Sequence, residues 1–208
     1  MSQAVLYSFR RCPYAMRARM ALHVSGLNYE HREVLLRDKP KTMLEASPKG
    51  TVPVFITEDS QVIDESLDVV FFALQHNDPE NWLENYDSTL VEQIDGPFKH
   101  HLDRYKYASR YKDNAKRGEV DHSHRKAAEK TLVILESHLN ETPFLSGKKQ
   151  SLTDIVIFPF IRQFAAVELD WFSQRFPALQ NWLTYHVESP LFKTIMVKHK
   201  LWQAEVKA

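Results

Sequence analysis

The chain has 208 residues, which suits one medium domain or two small ones. Its 27 Lys+Arg balance its 27 Asp+Glu, so there is no bulk electrostatic case for nucleic acid or an anionic membrane surface. The 43% hydrophobic content can bury a core, yet no segment approaches the ~20 apolar residues of a membrane helix, nothing at the start reads as a signal peptide, and one cysteine makes no disulfide within the chain, so a cytosolic protein without membrane or nucleic-acid partners is expected.

Residues 4–9, AVLYSF, predict a short strand. PYAMRARMALHVSG follows and predicts a helix, with Pro13 at a first helical position, Met16, Met20 and Val24 on one face, and Gly26 as its stop. Residues 28–36 are β-like, and RDKPKTMLEASPKG reads as loop around one helical turn. VPVFITED and QVID predict two short strands, and Ser66 to Gln75 a buried helix. The first ~75 residues thus alternate strand and helix in an α/β pattern. The polar stretch 76–88 reads as a linker. Beyond it the helical signal dominates, over 88–112, 119–140, 152–168 and 177–188, with a shorter helix after Pro190. The expected organisation is a domain over residues 1–78 and an all-α domain over 87–208.

Cys12, the single cysteine, stands between a predicted strand and a predicted helix. A free cysteine is most often a small core residue. Here the unpaired N–H groups and dipole of a helix start favour a thiolate, and Arg10, Arg11 and Arg17 add positive potential, so a reactive thiol is the better reading. The motif is Cys-Pro-Tyr-Ala, with no second cysteine at Ala15 to resolve a mixed disulfide. The second thiol must come from solution, which points to glutathione as cosubstrate. For any thiol whose pKa drops by two units, thiolate at pH 7 rises about 25-fold while nucleophilicity falls about 8-fold, a net gain of only about 3-fold. Holding glutathione in place therefore matters more than acidity.

Two further stretches could hold it. In KGTVPVF, Pro53 should begin an edge or bulged strand. Local sequence favours an ordinary trans bond, whereas a cis Val52–Pro53 bond would free the Val52 backbone to pair with a peptide ligand. In VIDESLDVV, Glu65-Ser66 sits at a strand-to-helix junction. Ser66 and the first-turn N–H groups either cap the helix or accept a carboxylate, with Glu65 taking an amino group; the γ-glutamyl end of glutathione offers both.

Taken in order, the Cys-Pro-Tyr-Ala turn, Val52-Pro53, Glu65-Ser66 and the all-α second part resemble the glutathione transferase family, above all its cysteine-dependent omega-type branch and bacterial relatives. In the second part, SLTDIVIFPFIRQF resembles the family's buried helix, with Ser151 and Asp154 as a capping-box variant and an expected kink at Pro159. The resemblance implies a thioredoxin-like N-terminal domain with cis Pro53, then the helical domain. It implies Cys12 as the catalytic residue and Pro13, Tyr14, Lys39, Val52, Pro53, Glu65 and Ser66 as the glutathione site. Tyr14 stands where phenylalanine is more usual. Trp202 either walls a second-substrate pocket or packs the tail. A homodimer is the implied assembly.

No metal site is expected: His122 and His124 lie two apart on a helix and so diverge, and His100-His101 has no cysteine or carboxylate pattern beside it. The favoured function is a glutathione-dependent thiol transferase acting on small disulfide or electrophilic substrates, as in dehydroascorbate reduction. One alternative is glutathione conjugation, drawing on the hydroxyls of Tyr7, Ser8 or Tyr14. The other is a regulatory protein of the same fold, as in stringent starvation proteins that bind RNA polymerase.

Overall fold

The computed structural model describes residues 3–204. It divides into two compact units, one spanning residues up to Asn81 plus the described residues from Ser189, the other Trp82–Glu188.

The first unit is built on β1 (Val5–Ser8), α1 (Pro13–Ser25), β2 (Glu30–Glu33), α2 (Lys41–Ala46), β3 (Val54–Ile56), β4 (Val62–Ile63) and α3 (Ser66–His76). The sheet order is β2-β1-β3-β4. β1 pairs parallel to β2, with Val5 opposite Glu30, and antiparallel to β3, with Val5 opposite Ile56. The parallel pair needs a crossover, and α1 supplies it. All four residues of β1 are buried, as befits a central strand covered on both faces. Val5 and Tyr7 point to one face and pack with Ala15, Val34, Met43, Val52 and Val54. Gly26 ends α1 at φ +74°, a left-handed conformation that favours glycine.

The helical turn expected between residues 37 and 50 is α2. The described C-terminal residues depart from expectation. The expected helical domain runs to residue 208, but α10 (Pro190–Ile195) packs on α1 and Leu201 bridges to Glu33 at the edge of β2.

The second unit contains α4 (Ser88–Gln93), which runs through a wide π-type turn at Ile94–Phe98 into α5 (Lys99–Lys106), then α6 (His122–Glu141), α7 (Leu152–Ala165), α8 (Leu169–Arg175) and α9 (Pro177–Glu188). The helix expected over 152–168 stops at Ala165, where the Val167 N–H turns back to Phe164 O at 3.1 Å; Glu168 then leaves the helical region, at φ −141° and ψ 77°, and its carboxylate takes Tyr105 Oη at 2.6 Å and Arg125 Nη1 at 2.7 Å. α7 is buried on nearly every side and continues through Pro159, the mark of a central core helix. Asp154 is fully buried and anchors this unit. One oxygen accepts from the Leu145 N–H (2.9 Å) and Trp182 Nε1 (2.8 Å), the other from the Ser151 N–H (3.0 Å) and hydroxyl (3.1 Å).

His186 on α9 is 2% exposed and stacks on Phe158 at 5.0 Å. Burial pushes its pKa down to about 3. The unfolded chain takes up a proton here near pH 6.5 that the folded chain refuses, so stability falls as pH drops below that value. The expected loss between pH 7 and pH 5 is about 2 kcal/mol. Urea unfolding at the two pH values checks it: the loss should shrink by this amount in His186→Phe, and an equal loss in both proteins would refute the assignment.

Candidate functional site

The geometry begins at the β1–α1 turn. Cys12 is the N-cap residue of α1, in extended conformation, and Pro13 occupies the first helical position. No side chain caps this helix start. The Cys12 N–H donates to Phe9 O at 3.0 Å, and its carbonyl accepts from the Met16 N–H at 2.9 Å, which closes the turn. The thiol is half-buried and lies 3.7 Å from the Val52 carbonyl oxygen. The Val52–Pro53 bond is cis, as the resemblance implies and local sequence alone does not. Among the described residues, no backbone group pairs with the Val52 N–H.

Ser66 is the first residue of α3 and is buried. Its hydroxyl accepts from Arg17 Nε at 3.0 Å, and the same guanidinium lies 5.1 Å from the Tyr14 ring centroid. Arg17, read in the sequence as a source of potential at the thiol, thus joins Tyr14 to Ser66. Glu65 is exposed and receives Lys49 Nζ at 2.6 Å, while Lys49 also reaches Asp64 at 3.0 Å. The other oxygen of Asp64 accepts from the buried Ser47 hydroxyl at 2.6 Å. Bonds from Ser47 and then Lys49 hold the Asp64 carboxyl below its ordinary range. The carboxylates before α3 therefore already hold one primary ammonium group.

Gly50, at φ +61°, brings the loop before Val52 close to Lys39: a Cβ there would lie 3.5 Å from Lys39 Nζ and 3.1 Å from Leu44 Cδ2. Lys39 also lines a groove of about 260 Å³ with Pro40, Thr42 and Trp202. Trp202 is fixed on the sheet edge. Its N–H donates to Glu33 O (2.9 Å), its indole Nε1 donates to Glu30 (3.0 Å), Tyr7 meets it edge-on (5.9 Å) and Arg32 stacks over it (4.4 Å). Tail packing accounts for every one of these contacts.

The sequence reading missed Arg19. This guanidinium, 2% exposed, sits under the Cys12 turn. It donates to the Ser8 hydroxyl (2.6 Å), Phe9 O (3.4 Å), Arg10 O (2.8 Å) and, from α10, Ile195 O (3.1 Å). Burial lowers its pKa to about 10, with Glu33, Tyr29 and Cys12 acting in the opposite sense. It is therefore still charged at neutral pH and within electrostatic reach of Cys12. Glu33 supports the same turn by accepting the Arg10 N–H at 2.7 Å. Burial raises the Glu33 pKa, but bonds from His31 and from that N–H outweigh it and hold the carboxyl below its ordinary range. The available signal was an arginine among the apolar residues of α1.

This arrangement is a thiol at a helix start, beside a peptide carbonyl, over a buried cation. The family model described as the glutathione S-transferase N-terminal domain matches residues 6–82, and that for the C-terminal domain matches residues 80–184. The chain belongs to the glutathione S-transferase family. It is 26% identical to mouse glutathione S-transferase omega-1 over 210 residues, covering 97% of this chain and 83% of the mouse protein. It is 27% identical to glutathione S-transferase U19 of Arabidopsis thaliana over 205 residues, covering 98% and 87%. The fold matches that of glutathione transferase Omega 3C from Trametes versicolor with a TM-score of 0.76, at 21% identity, over 97% of this chain and 92% of that one.

Within this glutathione S-transferase, two hydroxyls that could have served a conjugating site are engaged elsewhere. Tyr7 is 1% exposed, and its hydroxyl pairs with Thr42 (2.9 Å) and accepts from Arg32 (2.7 Å). The Ser8 hydroxyl is buried against Arg19. Among the described residues no helix is long and apolar enough to cross a membrane. The histidines differ from expectation in one respect. His122 and His124 do diverge, His122 toward Glu168 at 3.1 Å, but His124 meets the His100-His101 pair.

Proposed function

We propose that this glutathione S-transferase is a thiol transferase of the omega type, in which Cys12 forms a mixed disulfide with glutathione. The observation that carries the reading is the Cys12 thiol at the start of α1, 3.7 Å from the Val52 carbonyl, with Arg19 beneath. The Cys12 thiolate attacks the glutathione sulfur of a glutathionylated substrate. The S–S bond breaks, the substrate leaves as a thiolate and takes a proton from water, and a Cys12–glutathione disulfide remains. A second glutathione thiolate attacks that disulfide, releasing oxidised glutathione and the Cys12 thiolate. The net reaction turns one substrate–glutathione disulfide and one glutathione thiol into one substrate thiol and one oxidised glutathione, so electrons balance without another cofactor.

In this reading the Val52 N–H and C=O pair with the cysteinyl part of glutathione. Ser66 and the first-turn N–H groups of α3 take the γ-glutamyl carboxylate. Glu65 takes the γ-glutamyl ammonium in place of Lys49, and Lys39 meets the glycyl carboxylate. Pro13 and Tyr14 shape the wall beside the thiol. The buried Tyr7 and Ser8 hydroxyls weigh against conjugation as the main chemistry. The working form is a homodimer, the assembly common in the family.

Intact-protein mass tests this. Incubation with oxidised glutathione should add one glutathione to the chain, and reduced glutathione should remove it. A protein that stays unmodified would have an inaccessible or inert thiol, which ends the mechanism and leaves the family assignment standing.

A further inference from the structure

We propose that His100, His101 and His124 form a binding site for a late first-row divalent cation, with zinc as the reference ion. The three residues come from two helices of the second unit, His100 and His101 from α5 and His124 from the first turn of α6. One nitrogen from each lies within 4.8 Å of the others. The His101 and His124 rings are half-buried and their Nδ1 atoms are 2.7 Å apart. At that distance one Nδ1 must be a bare lone pair accepting the other's N–H. The hydrogen bond between them thus marks a place where a cation can replace a shared proton.

The His101–His124 pair sits near zinc spacing, and His100 lies within 4.8 Å of it and must close in to complete the set. Zinc–nitrogen bonds of about 2.0–2.1 Å in a tetrahedral array set neighbouring nitrogens roughly 3.3 Å apart, so the two rings need part by only about half an ångström. Imidazole donors suit zinc, copper and nickel over calcium or magnesium. His100 is exposed and packs edge-on against His101, with ring centroids 5.1 Å apart. Three protein ligands leave a fourth position for water.

Arg104 is the competitor. Its Nη1 lies 3.0 Å from His100 Nδ1, and since guanidinium only donates, that nitrogen is already a lone pair, held by Arg104. Arg104 also stacks over Tyr111 at 4.4 Å, which gives it a resting place when it leaves His100. Asp121 acts on His124 in the opposite sense to burial, and it is itself held by Lys112 at 2.5 Å. Charge around the cluster is otherwise basic, so lone pairs and not a negative field must hold the ion.

The test is calorimetric titration of zinc chloride into the untagged, metal-free full chain without glutathione. One equivalent should bind with micromolar or tighter affinity. His101→Asn and His124→Asn should each weaken binding at least about tenfold with unchanged circular dichroism, and Cys12→Ala should leave it intact. Arg104→Gln should tighten binding several-fold, a gain that partial unfolding cannot mimic. The proposal is overturned if zinc does not bind, if the His variants bind as tightly as the parent, if binding is lost in Cys12→Ala, or if Arg104→Gln leaves the affinity unchanged.

Discussion

Replacing Cys12 by Ala should reduce glutathione-dependent cleavage of a small mixed disulfide to the uncatalysed rate, a loss of roughly 10³-fold or more, while glutathione still binds. The size of the effect follows from the chemistry. The chain has one thiol, so no other side chain can form the mixed disulfide. The contacts assigned to glutathione come from Val52, Glu65, Ser66 and Lys39, none of which depends on the sulfur. The expected kinetic signature is therefore a collapse of kcat with a near-constant glutathione dissociation constant. Coupled oxidation of a nicotinamide reporter follows turnover, and calorimetry follows binding. Turnover within about tenfold of the parent would show that Cys12 is not the nucleophile. The same variant separates the two enzymatic readings. Without Cys12 the bound glutathione thiol can no longer be trapped as a disulfide, so a good rate with an aromatic chloride would put conjugation ahead of thiol transfer.

Much of this site could be read locally, because its signals are short and ordered along the chain. Cys12-Pro13 predicts a helix start, and the structure has Cys12 as N-cap with Pro13 in the first turn. Glu65-Ser66 predicts the start of α3, and the helix begins at Ser66. Other features depend on partners far away in sequence. Arg17 and Arg19 stand two residues apart in one helix, yet one is spent on Ser66 and the other on Ser8 and Ile195, 176 positions on. No periodicity distinguishes them. The fate of the C-terminal residues was hidden for the same reason. Nothing near Leu201 announces a bridge to Glu33, because the acceptor is a strand edge and edges pair through backbone, not through residue identity. The histidine cluster is the third case: spacing within α6 correctly parts His122 from His124, but it says nothing of what α5 places opposite.

Arg19→Leu should destabilise the protein by about 3–5 kcal/mol, the largest stability effect expected of any substitution near the thiol. Burying a guanidinium is unfavourable by itself, as its lowered pKa of about 10 records. An apolar replacement can therefore be neutral where both members of a buried pair are removed. That relief is absent here, because the acceptors are backbone carbonyls that stay in place. Phe9 O keeps the Cys12 N–H, but Arg10 O and Ile195 O lose the side chain that meets them, as does the Ser8 hydroxyl. Each buried orphan costs about 1–3 kcal/mol. Arg19→Lys should recover little, since one ammonium cannot reach β1, the Cys12 turn and α10 together as a planar fork does. Urea unfolding measures the loss as a lower midpoint at constant slope, and a shift worth less than about 1 kcal/mol would refute the argument. A second readout follows from Ile195. With that anchor gone, α10 and the following residues should release from the first unit, so limited proteolysis should cut near Ser189 in Arg19→Leu under conditions that leave the parent intact. Under those same conditions, modification of Cys12 by oxidised glutathione should slow in Arg19→Leu more than in Arg19→Lys, because the lysine keeps a cation in the first unit's interior. Equal slowing in both would mean that the fork's geometry, and not its charge, is what readies the thiol.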